Sequence, residues 1–198
     1  MGQGNCTFIA VSSGSNSDPN IEYLMMIDAG DNQSLAYNYY TDHFDGKAID
    51  SVIITHCHAD HYEGLKRFSA TDFNLGNNEC PVYLPNGDDV EKIKDYLSNE
   101  LTKSDSFYTF KQADLRSDIL DDEISDREFK NITIRPFACS GMAEPMERAD
   151  NSPSNDDSVA VLISLESHDS TWRYYTRGYL TSEIEDLLIT QSESHHLQ

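Results

Sequence analysis

The sequence predicts an α/β fold that spans residues 1–198 as one domain. Segments rich in apolar and β-branched residues alternate along the chain with segments of helical spacing, which favours interleaved strands and helices over an all-β architecture. Residues 51–55 form an unbroken run of this kind, as expected of a strand buried on both faces. A chain of 198 residues is also long enough to bury a substantial core.

Strands and helices alternate in the first half of the chain. The first two strands enclose residues 12–20, whose Ser, Gly, Asn and Pro content predicts a turn region. The predicted elements, in order, are strands at 6–11 and 23–27, a helix at 34–40, a strand at 51–55, a helix at 62–68, a strand at 81–84 and a helix at 90–97.

The second half has fewer clear elements. Strands are predicted at 132–135, 158–165 and 172–176, and a helix at 182–188 opens with Ser-Glu-Ile-Glu, which places acids in its first turn. Residues 103–130 and 138–155 are polar and acidic and lack clear periodicity. Because strands continue after each of them, we predict that these two segments are surface insertions.

Three imidazoles and a carboxylate follow the buried strand directly, in the run His56-Cys57-His58-Ala59-Asp60-His61. In an extended segment, residues two apart point the same way, so His56 and His58 are predicted to converge on one ion. Asp60 and His61 come as the chain turns and are directed at a second ion beside the first. Two adjacent metals can hold both the attacking and the leaving oxygen of a hydrolysis.

The ligand types indicate which metal the site prefers. Imidazole and carboxylate together suit zinc, iron or manganese better than calcium or magnesium. We predict one or two zinc ions, with manganese or iron also compatible. The alternative is a polar loop whose histidines cap the helix at 62–68, and four such side chains within six residues favour the metal site.

The net charge limits the class of substrate. The chain has 14 Lys and Arg against 35 Asp and Glu, a net charge of −21. Proteins that bind nucleic acid normally carry a basic face, because contacts to phosphates supply most of their affinity. Nucleic acid is therefore a poor candidate, and a small molecule, an ester, a lactone or a phosphodiester, fits better. Solubility alone explains the charge equally well.

The cysteine spacing and the lack of long apolar runs indicate the cellular compartment of the protein. The four cysteines have neither the spacing of a disulfide framework nor that of a CxxC metal site. Cys57 alternates with His56 and His58, so it is predicted to pack beneath the site. The sequence shows no transmembrane run and no signal peptide, which predicts no membrane partner. Free thiols then favour a cytoplasmic protein.

Several motifs resemble one known family. The run Thr-His-Cys-His-Ala-Asp-His, residues 55–61, followed by Gly64, resembles the H-x-H-x-D-H signature of the metallo-β-lactamase superfamily. The segment ending in Asp28-Ala29-Gly30 is similar to the family's strand ending in D-[AT]-G. Residues 2–5, Gly-Gln-Gly-Asn, and residues 155–162 resemble motifs of the hydrolase domain in competence-type DNA-uptake proteins and their soluble relatives.

The resemblance implies a fold, an activity and a set of site residues. The fold implied is a four-layer αββα sandwich with metals at one edge, incomplete here at one or both ends. The activity implied is a metal-dependent hydrolase in which a metal-bound hydroxide attacks a carbonyl or phosphoryl centre. His56, His58, Asp60 and His61 would be metal ligands, and Asp60 would also orient the water or accept its proton. Asp28 would lie behind the site and orient it through hydrogen bonds.

The later motifs depart from the family pattern. Tyr179 aligns where the family has an aspartate that bridges two metals, and a phenol is a poor bridging ligand compared with a carboxylate. Tyr179 would instead donate a proton to the leaving group. Arg135 or Cys139 stands near the place of an expected histidine. The pair at 195–196, His-His, resembles the family's last motif in letters only, since no glycine follows.

Two other interpretations follow from these departures. In the first, the chain is a degenerate, weak or inactive family member that serves as a binding or scaffold protein. In the second, the chain is a fragment, and missing strands would supply the absent ligands. An oligomer would then cover the exposed sheet edges of such a fragment.

Overall fold

The structure is a computed structural model that describes residues 5–15, 18–31, 33–44, 46–75, 80–85, 90–100, 108–112, 120–123, 129–139, 142–143, 159–167 and 170–176. The strands are β1 (Thr7–Ser15), β2 (Asp18–Ile27), β3 (Ser51–Ile53), β4 (Cys80–Leu84), β5 (Tyr108–Gln112), β6 (Leu120–Glu123), β7 (Phe129–Cys139), β8 (Met142–Ala143), β9 (Ala160–Ser167) and β10 (Thr171–Thr176). The helices are α1 (Leu35–Phe44), α2 (Ala59–Tyr62) and α3 (Val90–Glu100), with short 3-10 turns at Glu63–Arg67 and Ala70–Asp72. Mixed strands and helices confirm the predicted α/β class.

The chain forms two compact units, one of which comprises Met1–Leu84 and Asp88–Gln112. Its five-stranded sheet has the order β1-β2-β3-β4-β5. Strand β1 is antiparallel to β2, whereas β2, β3, β4 and β5 are mutually parallel. The carboxyl ends of β2 and β3 and the amino end of β1 therefore share one edge of the sheet, which is where α/β proteins place their ligands.

The centre of this sheet is the core of the first unit. Val52, Ile53 and Ile54 are fully buried, in agreement with the predicted double-sided burial of residues 51–55. The hydrophobic cluster around them also includes Leu24 and Val82 from the neighbouring strands. The buried run thus fixes β3 in the middle of the sheet and delivers the residues after it to the sheet edge.

Two predictions in the first unit are wrong in detail. The turn predicted at 12–20 is largely strand, because β1 and β2 pair as far as Ser15 and Asp18, with a register shift between Val11 and Ser12. The small polar residues there keep their backbone donors and acceptors, and these are sufficient for antiparallel pairing. The helix predicted at 62–68 begins earlier, as α2, and continues only as a 3-10 turn.

The second unit comprises Pro85–Gly87 and Ala113–Gln198. Its antiparallel sheet has the order β10-β9-β7-β6, with β8 paired to the end of β7. Ile132 and Ile134 on β7 are buried, and Asn131 and Thr133, which alternate with them, are less so. Burial of every second residue is typical of a strand in a sheet with one buried face.

The predicted surface insertions are also corrected. Residues 103–130 contain β5 and β6, and residues 138–155 include the end of β7 and the short β8. The acidic β6 pairs with β7 through its backbone, and Asp121 and Asp122 give no apolar signal of that pairing. The helix predicted at 182–188 lies outside the described residues. No helix in the described part of the chain is long and apolar enough to cross a membrane.

Candidate metal centre

The predicted ligands lie at the edge of the first unit's sheet: His56 and His58 between β3 and α2, and Asp60 and His61 in α2. His56 and His61 are buried, with 2% and 4% of their surface exposed. His58 is exposed and Asp60 is half-buried. The ring centroids of His56 and His61 are 3.7 Å apart, and those of His56 and His58 are 4.6 Å apart. The structure thus brings the three imidazoles together.

The two alternating histidines present nitrogens to the same point. His56 Nε2 and His58 Nδ1 are 3.1 Å apart. With Zn–N bonds of about 2.0–2.1 Å, two nitrogens at a tetrahedral zinc are about 3.3 Å apart. The observed separation is close to that value, so this pair of side chains fits a shared ion with little movement.

Asp28 connects the end of β2 to this cluster. One carboxylate oxygen accepts the backbone N–H of Thr55 at 2.7 Å, and the other accepts the Thr55 hydroxyl at 2.7 Å. The second oxygen also lies 2.8 Å from His61 Nδ1. A carboxylate in this position keeps the proton on Nδ1 and leaves Nε2 as the nitrogen that would bind a metal.

Asp28 itself has a left-handed backbone, with φ of 56°. This conformation is uncommon for a residue with a side chain, although aspartate and asparagine adopt it more readily than most. It turns the chain sharply at the end of β2, where the Asp28 N–H donates to the Ile53 carbonyl. The strained residue is therefore held by backbone and side-chain bonds to the strand that leads into the histidines.

The segment after Asp28 also forms backbone hydrogen bonds with residues 61–64, which end the histidine cluster. The Ala29 N–H donates to the His61 carbonyl at 2.7 Å, and the Gly64 N–H donates to the Gly30 carbonyl at 3.1 Å. A Cβ on Gly64 would overlap the Ala29 carbonyl. Glycine at this position therefore permits the close approach of two backbones that sets His61 against Asp28.

Burial, and to a smaller extent the neighbouring His61 and His58, lower the pKa of His56 from 6.5 to about 3, against an opposing effect of Asp60. His56 is consequently neutral at physiological pH. A neutral imidazole is the form that coordinates a metal, so protons compete little for this ligand near neutrality.

The same shift predicts how stability depends on pH in the chelator-treated protein. Below pH 6.5 the unfolded chain takes up a proton at His56 that the folded chain refuses until about pH 3, so stability falls as the pH is lowered. From pH 7 to pH 5.5 this contribution is about 1 kcal/mol. In urea unfolding at these two pH values, wild type should lose about 1 kcal/mol more stability on acidification than His56→Gln, which lacks the titrating ring.

The donor types suit a metal ion, although the side chains are not yet arranged around a single point. Among the described residues, no group of three or more His, Cys, Asp or Glu side chains is already arranged to hold an ion. What is present is the approach of His56 Nε2 to His58 Nδ1 and the carboxylate that orients His61. Nitrogen and carboxylate donors in this arrangement suit zinc, iron or manganese.

The remaining predicted residues divide into two groups. Cys57 is half-buried and packs against the hydrophobic core, as predicted. Arg135 and Cys139 lie on β7, in the second unit. Tyr179 and the histidines at 195–196 lie outside the described residues, and the role predicted for Tyr179 stays a prediction.

Sequence reasoning missed Thr55. This residue is buried, and its hydroxyl lies 3.3 Å from His56 Nδ1 and 3.4 Å from His61 Nδ1 in addition to its bond with Asp28. A signal was present, because a threonine that ends a fully buried apolar strand needs a hydrogen-bond partner. The neighbouring carboxylate in the D-A-G segment supplies that partner.

The family model of the metallo-beta-lactamase superfamily matches residues 1–123. The chain belongs to this superfamily, and its mixed sheets and helices are those of the metallo-beta-lactamase fold. Membership supports a metal-dependent hydrolase as the general class of the protein. No curated protein matches the sequence.

Several solved structures are similar in fold. The short form of human tRNase Z is 17% identical with a TM-score of 0.44, and the match covers 87% of this chain and 68% of that one. The metallo-beta-lactamase fold protein YhfI from Bacillus subtilis is 15% identical with a TM-score of 0.39, over 85% and 60%. Tm1679, a metal-dependent hydrolase of the beta-lactamase superfamily, is 14% identical with a TM-score of 0.37, over 79% and 60%. The chain thus spans 60% to 68% of these three proteins.

Proposed function

We propose that the chain hydrolyses a small ester, lactone or phosphodiester at the centre formed by His56, His58, Asp60 and His61. The observation that carries the proposal is the hydrogen bond from His61 Nδ1 to the buried Asp28 carboxylate, within a cluster of three imidazoles. This pairing of carboxylate and histidine is how proteins orient a metal-binding imidazole. A histidine that only capped a helix would not need it.

Each residue has a defined task in this proposal. His56 and His58 would hold one zinc ion, with manganese or iron as the alternatives, and His61 and Asp60 would hold a second ion. When bound there, zinc would supply Lewis-acid activation of a water molecule at neutral pH. Asp60 orients that water or accepts its proton, and Asp28 and Thr55 keep His61 in the competent tautomer.

The proposed substrate is a small molecule rather than nucleic acid. The net charge of −21 opposes a polyphosphate backbone. The motifs at 2–5 and 155–162 support placing the chain among the soluble relatives of the competence-type hydrolase domain. We also propose a cytoplasmic location, because free thiols are typical of proteins in a reducing compartment.

The test compares metal-loaded protein with an Asp60→Asn variant. The substrates are p-nitrophenyl acetate, bis(p-nitrophenyl) phosphate and γ-butyrolactone. Loss of the proton acceptor should lower kcat by about 10² or more on the substrate that is turned over. Asp42→Asn makes the same change of charge at an exposed position of α1 and should keep full activity. Equal turnover by wild type and Asp60→Asn would contradict the proposal.

Tyr179 enters the same assay as the proposed proton donor to the leaving group. Tyr179→Phe should lower kcat most for a poor leaving group, such as an alkoxide, which needs a proton as it departs. The same variant should have less effect on p-nitrophenolate, which leaves without one. Unchanged turnover of both would remove Tyr179 from the mechanism.

A second candidate function is supported by Tyr179 itself. Because the tyrosine aligns with the family's bridging aspartate, the chain could be a binding or scaffold protein that retains one metal. Metal binding without turnover of any of the three substrates would favour this candidate.

A further inference from the structure

A pocket of about 520 Å³ lies beside the metal centre, at the same edge of the first unit's sheet. The start of β1, the segment after Asp28 and the first turns of α1 surround it. Gly30 lines this pocket and also accepts the hydrogen bond from Gly64 that secures the histidine loop. The pocket and the centre therefore share one short segment of backbone. Its volume is that of a site for a small organic molecule.

About half of the pocket wall is apolar, and the side chains that form this half include Phe8, Leu35 and Tyr39. Phe8 and Tyr39 stack with their ring centroids 6.1 Å apart and an interplanar angle of 17°. Leu35 and Tyr39, on the first turns of α1, are 72% and 52% exposed. Because both line the same pocket, they offer a ligand there apolar surface that it can cover.

The polar groups of the pocket select against anions. Asp31 is the single charged side chain among the described lining residues, and its carboxylate accepts the Gln33 N–H at 2.9 Å. Asn5 and Thr7 add neutral donors and acceptors. Burial and the nearby Asp28 charge together raise the pKa of the Cys6 thiol, at the inner wall, to about 12, so that wall carries no thiolate. An acidic ligand group would be repelled by Asp31, and the described lining residues include no Lys, Arg or His to offset that repulsion.

We propose that this pocket binds the non-reacting part of the substrate, an uncharged aromatic or bulky apolar group. The inference rests on the proposed function and narrows it to neutral apolar esters or lactones, with phosphodiesters disfavoured. Apolar contact with Leu35, Phe8 and Tyr39 supplies affinity, and Asp31 supplies discrimination against acids. Binding the remote part of a substrate positions its reacting bond at the neighbouring centre.

The first test measures binding to the metal-free full-length chain, so that it does not depend on hydrolysis. The probes are 2-naphthylmethanol and 2-naphthoate, which share a ring system and differ in charge, and the readout is the dissociation constant from calorimetry. The neutral probe should bind about tenfold more tightly than the anion. Asp31→Asn should remove most of the preference for the neutral probe, because 2-naphthoate should then bind more tightly. Asp42→Asn should leave the preference unchanged.

A second variant tests the apolar wall. Leu35→Asp removes an exposed side chain and places an acid in the first turn of α1, where it favours the helix, so the fold should persist. The variant should bind 2-naphthylmethanol about tenfold more weakly than wild type does. Asn38→Asp adds the same charge at an exposed position of α1 that does not line the pocket, and serves as the matched control.

The outcomes separate this inference from the proposed function. If the neutral probe binds and responds to Leu35→Asp while no substrate is turned over, the pocket stands and the hydrolase proposal fails. If esters are hydrolysed but Leu35→Asp leaves the ratio of kcat/KM for 2-naphthyl acetate to that for ethyl acetate unchanged, the pocket assignment fails alone. Equal affinity of the two probes for wild type would also overturn the assignment.

Discussion

Asp28→Asn is expected to lower the zinc affinity of the centre by about 10- to 100-fold while the fold is retained. Asparagine tolerates the left-handed backbone at this position, and its amide oxygen can still accept the Thr55 N–H. Its NH₂ group, however, would face His61 Nδ1 as a donor. His61 would then carry its proton on Nε2, the nitrogen needed for the metal.

The measurement is a competition titration of zinc against a chromophoric chelator, with thermal unfolding of the metal-free proteins as the check on the fold. Asp42→Asn removes the same charge from an exposed position and should bind zinc as wild type does. A variant at Asp28 with unchanged zinc affinity would show that the carboxylate does not orient His61.

Gly64→Ala is expected to destabilise the first unit and to displace the loop that carries the histidines. The new Cβ would overlap the Ala29 carbonyl and crowd the Asp31 carbonyl, and both are backbone atoms that cannot move aside. Overpacking of this kind typically costs about 1–3 kcal/mol. The displaced segment contains the bonds that hold His61, so zinc affinity should fall in parallel with the free energy of unfolding.

Gly46→Ala is the matched control for that experiment. Nothing lies within 4 Å of a Cβ at Gly46, but its φ of +86° strains any other residue. The control should lose about 1 kcal/mol of stability from backbone strain and keep its zinc affinity. If Gly64→Ala were no more damaging than Gly46→Ala on both measures, the close backbone approach would not matter.

The sequence predicted the centre of the first unit better than its edges. A strand buried on both faces has an uninterrupted apolar sequence, so the strand through Val52 and Ile53 could be identified from composition alone. The strands β5 and β6 were missed because the alternation of Tyr108 and Phe110 with polar residues in β5 spans only five residues, and the acidic β6 has no apolar alternation. The extension of the first hairpin through Ser12–Ser15 was missed for the same reason.

The site shows a similar division. Three histidines and an aspartate in six residues indicate a metal from spacing alone. Asp28 precedes His61 by 33 residues, so its contact with that ring came from the family resemblance and not from local pattern. The role of Gly64 depends on how closely two segments approach, which only the folded chain reveals.

Metal content per chain tests the central claim most directly. Tag-free protein purified without chelator should contain one or two ions of zinc, manganese or iron per chain by elemental analysis, and His56→Gln should contain fewer. A chain that binds none of these metals, even after incubation with an excess of each, would contradict a metal centre at His56, His58, Asp60 and His61.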